Sequence, residues 1–159
     1  MPTYKPYTKH QLQETLKQIG GAAHAPIGQL DIRAWWSAEP LTFEARTTGE
    51  ALHLEVGDKW GDLFDCAWFR FTGTVPEAAA GKHVVLLLDV NGEMCVFDAG
   101  GHPQQGLTTV TSGYDFSLGA PGKRVLELTP KATGGEPIDV WADAGCNDLF
   151  GNLQGNGTV

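Results

Sequence analysis

Gly61-Asp62-Leu63-Phe64-Asp65-Cys66-Ala67-Trp68-Phe69-Arg70-Phe71 is the stretch that decides the fold. An acidic turn opens here into a run whose side chains alternate between the two faces of a strand. The second face carries Trp68 and Arg70, which is unusual for a solvent face and predicts that something packs there. The first face is apolar or small throughout and is predicted to line the core: Ala67, Phe69, Phe71, Gly73 and Val75.

The composition around this stretch is that of one globular domain. The chain has 159 residues, of which 42% are hydrophobic and 19% charged. Its 21 glycines and 9 prolines favour short strands with frequent turns. About eight strands with no helices between them predict an all-β protein, an antiparallel β-sandwich of jelly-roll (galactose-binding-domain-like) type. The predicted strands are Leu41–Ala45, Ala51–Val56, Cys66–Val75, His83–Val90, Glu93–Asp98, Tyr114–Leu118, Arg124–Leu128 and Ile138–Ala142.

Two further expectations concern His83–Val90. The strand is nearly all apolar, which predicts a central strand covered on both sides. Asn91-Gly92 follows it and precedes the strand Glu93–Asp98, a pattern that predicts a two-residue hairpin between the two strands. The tryptophan pair Trp35-Trp36 is interpreted only as an aromatic cluster before Pro40.

The N-terminus predicts one short α-helix. Thr8-Lys9-His10-Gln11 fits a capping box, and Leu12, Leu16 and Ile19 follow at helical spacing. A helix from about Lys9 to Ile19 with one narrow apolar stripe is unstable alone, so we expect it to pack on something. The predicted division is a helical segment, residues 1–25, and a jelly-roll domain, residues 26–159.

Charge and cysteine content limit the partners and the compartment. All but one of the 19 acidic residues follow residue 25, together with 8 of the 11 basic residues. Such an acidic surface repels phosphate, so we expect no nucleic-acid partner. The sequence also has no cluster of basic residues of the kind that binds an anionic membrane, so we expect no membrane partner. Cys66, Cys95 and Cys146 are widely spaced and are interpreted as reduced thiols of a cytoplasmic protein.

Candidate catalytic and metal residues are not evident in the sequence. The five histidines show no HxH or HExxH spacing, and there is no CxxC or GxSxG. Carbohydrate binding is the stronger alternative, because sugars stack on aromatic rings while amides bind their hydroxyls. The opposing interpretation is that the tryptophans fill the core or an interface. The candidate interface or sugar-contact residues are Trp35, Trp36, Trp60, Trp68, Arg70, Gln104, Gln105 and Asn147.

Several of these pieces also resemble a known family. The run from Trp60 to Pro76 is similar to the N-terminal β-sandwich domain of family 38 glycoside hydrolases, the zinc-dependent α-mannosidases, in their cytosolic and vacuolar branch. Residues 101–107, GHPQQGL, look like the family's G-x-P-x-Q-G-L turn, and residues 147–151, NDLFG, look like its N-x-x-F-G close. The pieces occur in the family's order. The chain departs from the family at Cys66-Ala67, where a Ser/Thr-His pair is frequent.

The resemblance implies an accessory role. In the family the zinc ligands and the aspartate nucleophile lie in a following α/β catalytic domain, so no catalytic, cofactor-binding or metal residue is carried over to this chain. It implies a non-catalytic N-terminal domain of a retaining α-mannosidase that acts on terminal α-mannosyl residues, with zinc in the absent catalytic domain. The expected partners are that catalytic domain through the Trp68 and Arg70 face, a second copy of the chain, and weakly bound carbohydrate. The alternative is a stand-alone carbohydrate-binding module.

Overall fold

The computed structural model describes residues 7–108 and 123–146. Within them the chain forms one α-helix, a short 3-10 helix at Glu77–Ala79 and eight strands. In chain order the main elements are α1 (Tyr7–Ala22), β1 (Asp31–Ser37), β2 (Glu50–Leu52), β3 (Cys66–Thr74), β4 (Val84–Leu87), β5 (Glu93–Phe97), β6 (Pro103–Thr108), β7 (Val125–Thr129) and β8 (Pro137–Gly145).

The strands form two antiparallel sheets. The larger has the order β2-β1-β3-β8-β5-β6, and the smaller pairs β4 with β7. β3 and β8, each nine residues long, form the middle of the large sheet and pair along their full length. The prediction of an all-β antiparallel architecture is confirmed.

The inner face of the large sheet builds the core. Ala67, Phe69 and Phe71 on β3 are at most 4% exposed, as their alternation predicts. They belong to one buried cluster with the inward side chains of the small sheet, among them Val84 and Leu86. A strand with an apolar face needs an opposing apolar surface, and the second sheet provides it.

Trp60 joins the turn before β3 to that core. Its ring meets Phe69 edge to face at a centroid distance of 5.3 Å. Its indole N–H donates to the Val90 carbonyl oxygen at 2.8 Å, so the one polar atom of a 3% exposed side chain is satisfied. The acidic turn is thereby fixed relative to both sheets.

The structure differs from the predicted elements at three places. Leu41–Ala45 is a series of turns, because Ala45 N–H bonds back to the Thr42 carbonyl instead of to a neighbouring strand. Asp31–Ser37 and Pro103–Thr108 are strands that the sequence analysis did not predict. The second begins with proline at the sheet edge, where a missing N–H is tolerated. Predicted strand Tyr114–Leu118 lies outside the described residues.

The hairpin predicted at Asn91-Gly92 is wrong. β4 pairs with β7 in the small sheet, whereas β5 pairs with β6 and β8 in the large one. Asn91 has a φ of 51°, and this turn carries the chain from one sheet to the other. The expectation that β4 is covered on both sides is also wrong, since Leu87 is 54% exposed.

Helix α1 is exposed along its whole described length. Every residue from Thr8 to Ala22 is exposed. The apolar side chains Leu12, Leu16 and Ile19 are 60%, 60% and 62% exposed. The apolar stripe predicted from the sequence is therefore present, but the described part of the chain does not cover it. In residues 7–108 and 123–146 no helix has the length and apolar character needed to cross a bilayer.

Candidate functional site

The outer face of the large sheet, opposite the core, carries the aromatic residues that the sequence singled out. On neighbouring strands Trp35 pairs with Trp68, and Arg70 pairs with Trp141. Trp35 stacks on Trp141 with ring centroids 5.4 Å apart and an interplanar angle of 24°. The ring centroids of Phe97, on β5, and Trp68 are 5.0 Å apart. The pairing of β1, β3, β8 and β5 thus places these aromatic side chains together in one layer.

Residues 41–48, here called the covering segment, lie on this layer. The Trp68 indole N–H donates to the Leu41 carbonyl oxygen at 3.0 Å, and Phe43 meets Trp68 edge to face at 5.7 Å. Trp68 is consequently only 2% exposed. The prediction that something packs on the second face of β3 is confirmed, and what packs there is the chain's own segment.

Arg46 clamps the covering segment to the sheet. Its guanidinium carbon lies 3.8 Å from the Phe43 ring centroid and 4.4 Å from that of Trp141, so the cation is held between two rings. It also donates from Nη1 to the Phe43 carbonyl oxygen. A cation over an aromatic ring contributes about 0.5–2 kcal/mol depending on its desolvation. Arg46 therefore stabilises a second, smaller packed layer.

Arg70 and Asp139 form the polar border of that layer. Arg70 donates from Nε to Oδ1 at 2.8 Å and from Nη2 to Oδ2 at 2.6 Å. This two-point hydrogen bond lowers the pKa of the Asp139 carboxyl and raises that of the Arg70 guanidinium. The Arg70 side chain is 35% exposed and that of Asp139 is 48% exposed, so solvent screens the ion pair and its stabilisation is modest.

Asp139→Asn tests this ion pair. Because pairing lowers the folded-state pKa of Asp139, its contribution is complete above the unfolded pKa of about 3.9 and is lost as the pH falls through the folded value. We expect the variant to be less stable by about 0.2–1 kcal/mol at pH 7. Urea unfolding of both proteins at pH 7 and below pH 4 should show the difference shrinking in acid. A difference that is independent of pH would contradict this assignment.

The structure separates the predicted site residues instead of gathering them. Trp60 and Trp68 are buried inside the domain, which corrects their placement on a partner or sugar surface. Trp35 and Trp36 are half-buried on β1, and none of the five tryptophans is exposed. Arg70 is occupied by Asp139. Asn147 lies outside the described residues.

The two glutamines lie on edge strand β6. Gln104 donates to Asp98 Oδ2 and to the His102 carbonyl oxygen, both at 3.1 Å. Gln105 donates to the Val125 carbonyl oxygen at 2.9 Å, which links β6 to β7 of the small sheet. These amides serve the local turn and the junction between the sheets.

Asp143 and Cys95 line a shallow cleft along β5, β6 and β8, and Cys66 lies on the neighbouring strand β3. Asp143 is half-buried there, and desolvation raises the pKa of its carboxyl. Burial, reinforced by the nearby Asp143 charge, raises the pKa of the Cys66 and Cys95 thiols. A thiol with a raised pKa is a poor nucleophile and a poor metal ligand. Among the described residues no three His, Cys, Asp or Glu side chains are grouped to hold a metal ion.

The sequence analysis missed the residues that complete the outer layer. Phe43, Arg46, Asp139, Trp141 and Asp143 were not among the candidate site residues. No local signal identifies them, because each reaches the layer through strand pairing or through a turn segment folded over it. The spacing of Arg46 three residues after Phe43 is typical of many exposed turns.

Comparison with known proteins agrees with this architecture. The family model described as the alpha-mannosidase jelly roll domain matches residues 26–158. Alpha-mannosidase 2C1 of Homo sapiens is 28% identical over 134 residues, which are 84% of this chain and 12% of that protein. Alpha-mannosidase 2C1 of Mus musculus is 26% identical over 125 residues, 79% of this chain and 11% of that protein. The chain therefore spans about an eighth of the length of these relatives.

The match covers the strands of both sheets, the aromatic layer and the segment that covers it. The resemblance stated from the sequence is confirmed. This chain belongs to the family of jelly-roll domains found in α-mannosidases.

Proposed function

We propose that the chain is the non-catalytic N-terminal accessory domain of a retaining, zinc-dependent α-mannosidase of family 38 that removes terminal α-mannosyl residues. The observation that carries this proposal is the pairing of a jelly-roll match over residues 26–158 with coverage of only 12% of the human relative. A domain of that kind contributes to the longer polypeptide by packing against the catalytic part.

The described residues support a packing role over a chemical one. The thiols of Cys66 and Cys95 have raised pKa values, and Arg70 is engaged by Asp139. Within residues 7–108 and 123–146 no group of side chains fits a zinc ion, so no step of sugar hydrolysis is assigned to them. The zinc and the catalytic carboxylates belong, in this proposal, to the catalytic part.

Helix α1 supplies a contact surface for that part. Its stripe of Leu12, Leu16 and Ile19 is exposed, and exposed apolar side chains in a row are typical of interaction surfaces. In the proposed division, residues 1–25 are the helical segment that makes this contact and residues 26–159 form the jelly-roll domain. We place the whole polypeptide in the cytoplasm, a proposal supported by Cys66, Cys95 and Cys146, which form no disulfide with one another.

Hydrolysis of p-nitrophenyl α-mannoside tests the proposal. Three proteins are compared: the 159-residue chain, the whole polypeptide encoded by its gene, and that polypeptide without residues 1–146. We expect activity in the whole polypeptide, none in the 159-residue chain, and a lower unfolding temperature after the deletion. Zinc removal should abolish the activity of the whole polypeptide without changing the unfolding of the 159-residue chain.

Two outcomes contradict the proposal. Hydrolysis by the 159-residue chain would make it a catalytic unit. A deletion that leaves both activity and unfolding temperature unchanged would remove the packing role.

A further inference from the structure

Phe64, in the turn before β3, combines two properties that are each unfavourable for the domain alone. Its φ is 73°, in the left-handed region that a residue with a bulky side chain avoids. Phe64 is 69% exposed, more than any other large apolar residue in the described part of the chain. Glycine at this position would avoid both costs.

The surrounding hydrogen bonds hold Phe64 in this conformation. Its N–H donates to the Cys146 carbonyl oxygen at 2.9 Å, and Cys146 N–H donates to the Asp65 carbonyl oxygen at 2.9 Å. Within the turn, Asp65 N–H bonds to the Asp62 carbonyl, and Asp62 N–H bonds to Asp65 Oδ2 at 2.7 Å. Lys59 pairs with Asp62 beside it. A strained residue persists only where its surroundings fix it in this way.

We infer that Phe64 is an anchor that inserts into an apolar pocket on the catalytic part of the same polypeptide. This inference rests on the proposed function, and it names a contact point separate from helix α1. A rigid, pre-positioned aromatic ring loses little conformational entropy on burial, which is the property of residues that dominate interfaces.

The position of Phe64 in the domain selects the occupant. Its backbone is paired with that of Cys146, only 13 residues before Val159, so a polypeptide that continues beyond Val159 is tethered to this ring by a short stretch of chain. The human relative has 88% of its length outside the matched part, since the match covers 12% of it. The covalently following polypeptide is therefore present at Phe64 at high local concentration.

Hydroxyl-radical footprinting measures the exposure of the Phe64 ring directly. We expect oxidation of Phe64 to be slower in the whole polypeptide than in the 159-residue chain by on the order of tenfold or more, the protection of a buried interface anchor. Equal oxidation rates in the two proteins would overturn the inference. Protection that appears in the 159-residue chain as its concentration rises would also overturn it, because the occupant would then be a second copy.

A substitution separates an anchor from a residue that serves its own domain. Phe64→Asn removes the ring, and asparagine tolerates the left-handed conformation. We expect a lower unfolding temperature for the whole polypeptide and an unchanged or higher one for the 159-residue chain. The matched control is Val56→Ser, which removes a 68% exposed side chain without a positive φ and should change neither. Equal destabilisation of both lengths by Phe64→Asn would show that the ring stabilises its own domain.

The two proposals fail in different ways. A whole polypeptide that hydrolyses the mannoside and needs the domain, yet leaves Phe64 exposed, refutes the anchor alone. A whole polypeptide without mannosidase activity refutes the proposed function, whatever the footprint of Phe64 shows.

Discussion

Trp68→Ala is expected to lower the free energy of unfolding of the 159-residue chain by about 3–5 kcal/mol, the usual cost of removing a buried tryptophan. Trp68 is 2% exposed and contacts Phe43 and Phe97, so the substitution leaves a cavity between the sheet and the covering segment. It also leaves the Leu41 carbonyl oxygen without the indole N–H that it accepts from.

Urea unfolding checks this value, and Trp68→Phe is the matched control. Phenylalanine keeps an aromatic ring but loses the N–H, so its cost should be clearly smaller than that of alanine. Amide hydrogen exchange in residues 41–48 should become faster in Trp68→Ala, because the covering segment loses its main contact. A cost below about 1 kcal/mol would mean that the outer layer is not a packed core.

Gly49→Ala is the second substitution with a large expected effect. A Cβ atom at this position would lie directly on the Trp36 carbonyl oxygen and 3.1 Å from the carbonyl carbon. Both are backbone atoms of β1, so no side-chain rotation can relieve the overlap. We expect a loss of about 1–3 kcal/mol or more, with displacement of the covering segment that ends just before Gly49.

Gly106→Ala is the control for this prediction. Gly106 lies on β6, and a Cβ atom there would have no neighbour within 4 Å. Alanine at such a position costs nothing in contacts and reduces the freedom of the unfolded chain, so a gain of about 0.4–1 kcal/mol is expected. Urea unfolding of the two variants should move in opposite directions. Similar losses in both would show that glycine itself, and not the close approach to β1, is required.

The sequence predicted best what depends on nearest neighbours along the chain. The alternation from Cys66 to Val75 identified both faces of β3, since a strand repeats every two residues and the core face must be apolar. It also predicted the helix and its stripe, which the structure extends to Tyr7–Ala22.

The errors arise where long-range pairing overrides a local signal. Asn91-Gly92 has the composition of a hairpin turn, but its flanking strands find better partners in separate sheets. Likewise, Leu41–Ala45 has strand-like residues, yet it follows Pro40 and packs on Trp68 as part of the covering segment instead of forming a strand. No pattern within ten residues encodes either outcome.

The candidate site was less predictable than the fold for the same reason. The sequence indicated that Trp68 and Arg70 need a neighbour, but not whether that neighbour is another domain or the same chain. The answer depends on Arg46 reaching Trp141, and on Arg70 reaching Asp139, 69 residues away along the chain.

The pairing of β3 with β8 has a consequence for the synthesis of this protein. Partners in this ladder are 63 to 79 residues apart, from Thr74 with Pro137 to Cys66 with Gly145. At a translation rate of about 5–20 residues per second, β3 leaves the ribosome roughly 3–16 s before its central partner exists. During that interval an aromatic strand edge is open to other nascent chains, so the yield of the domain should depend on chaperones that bind such edges.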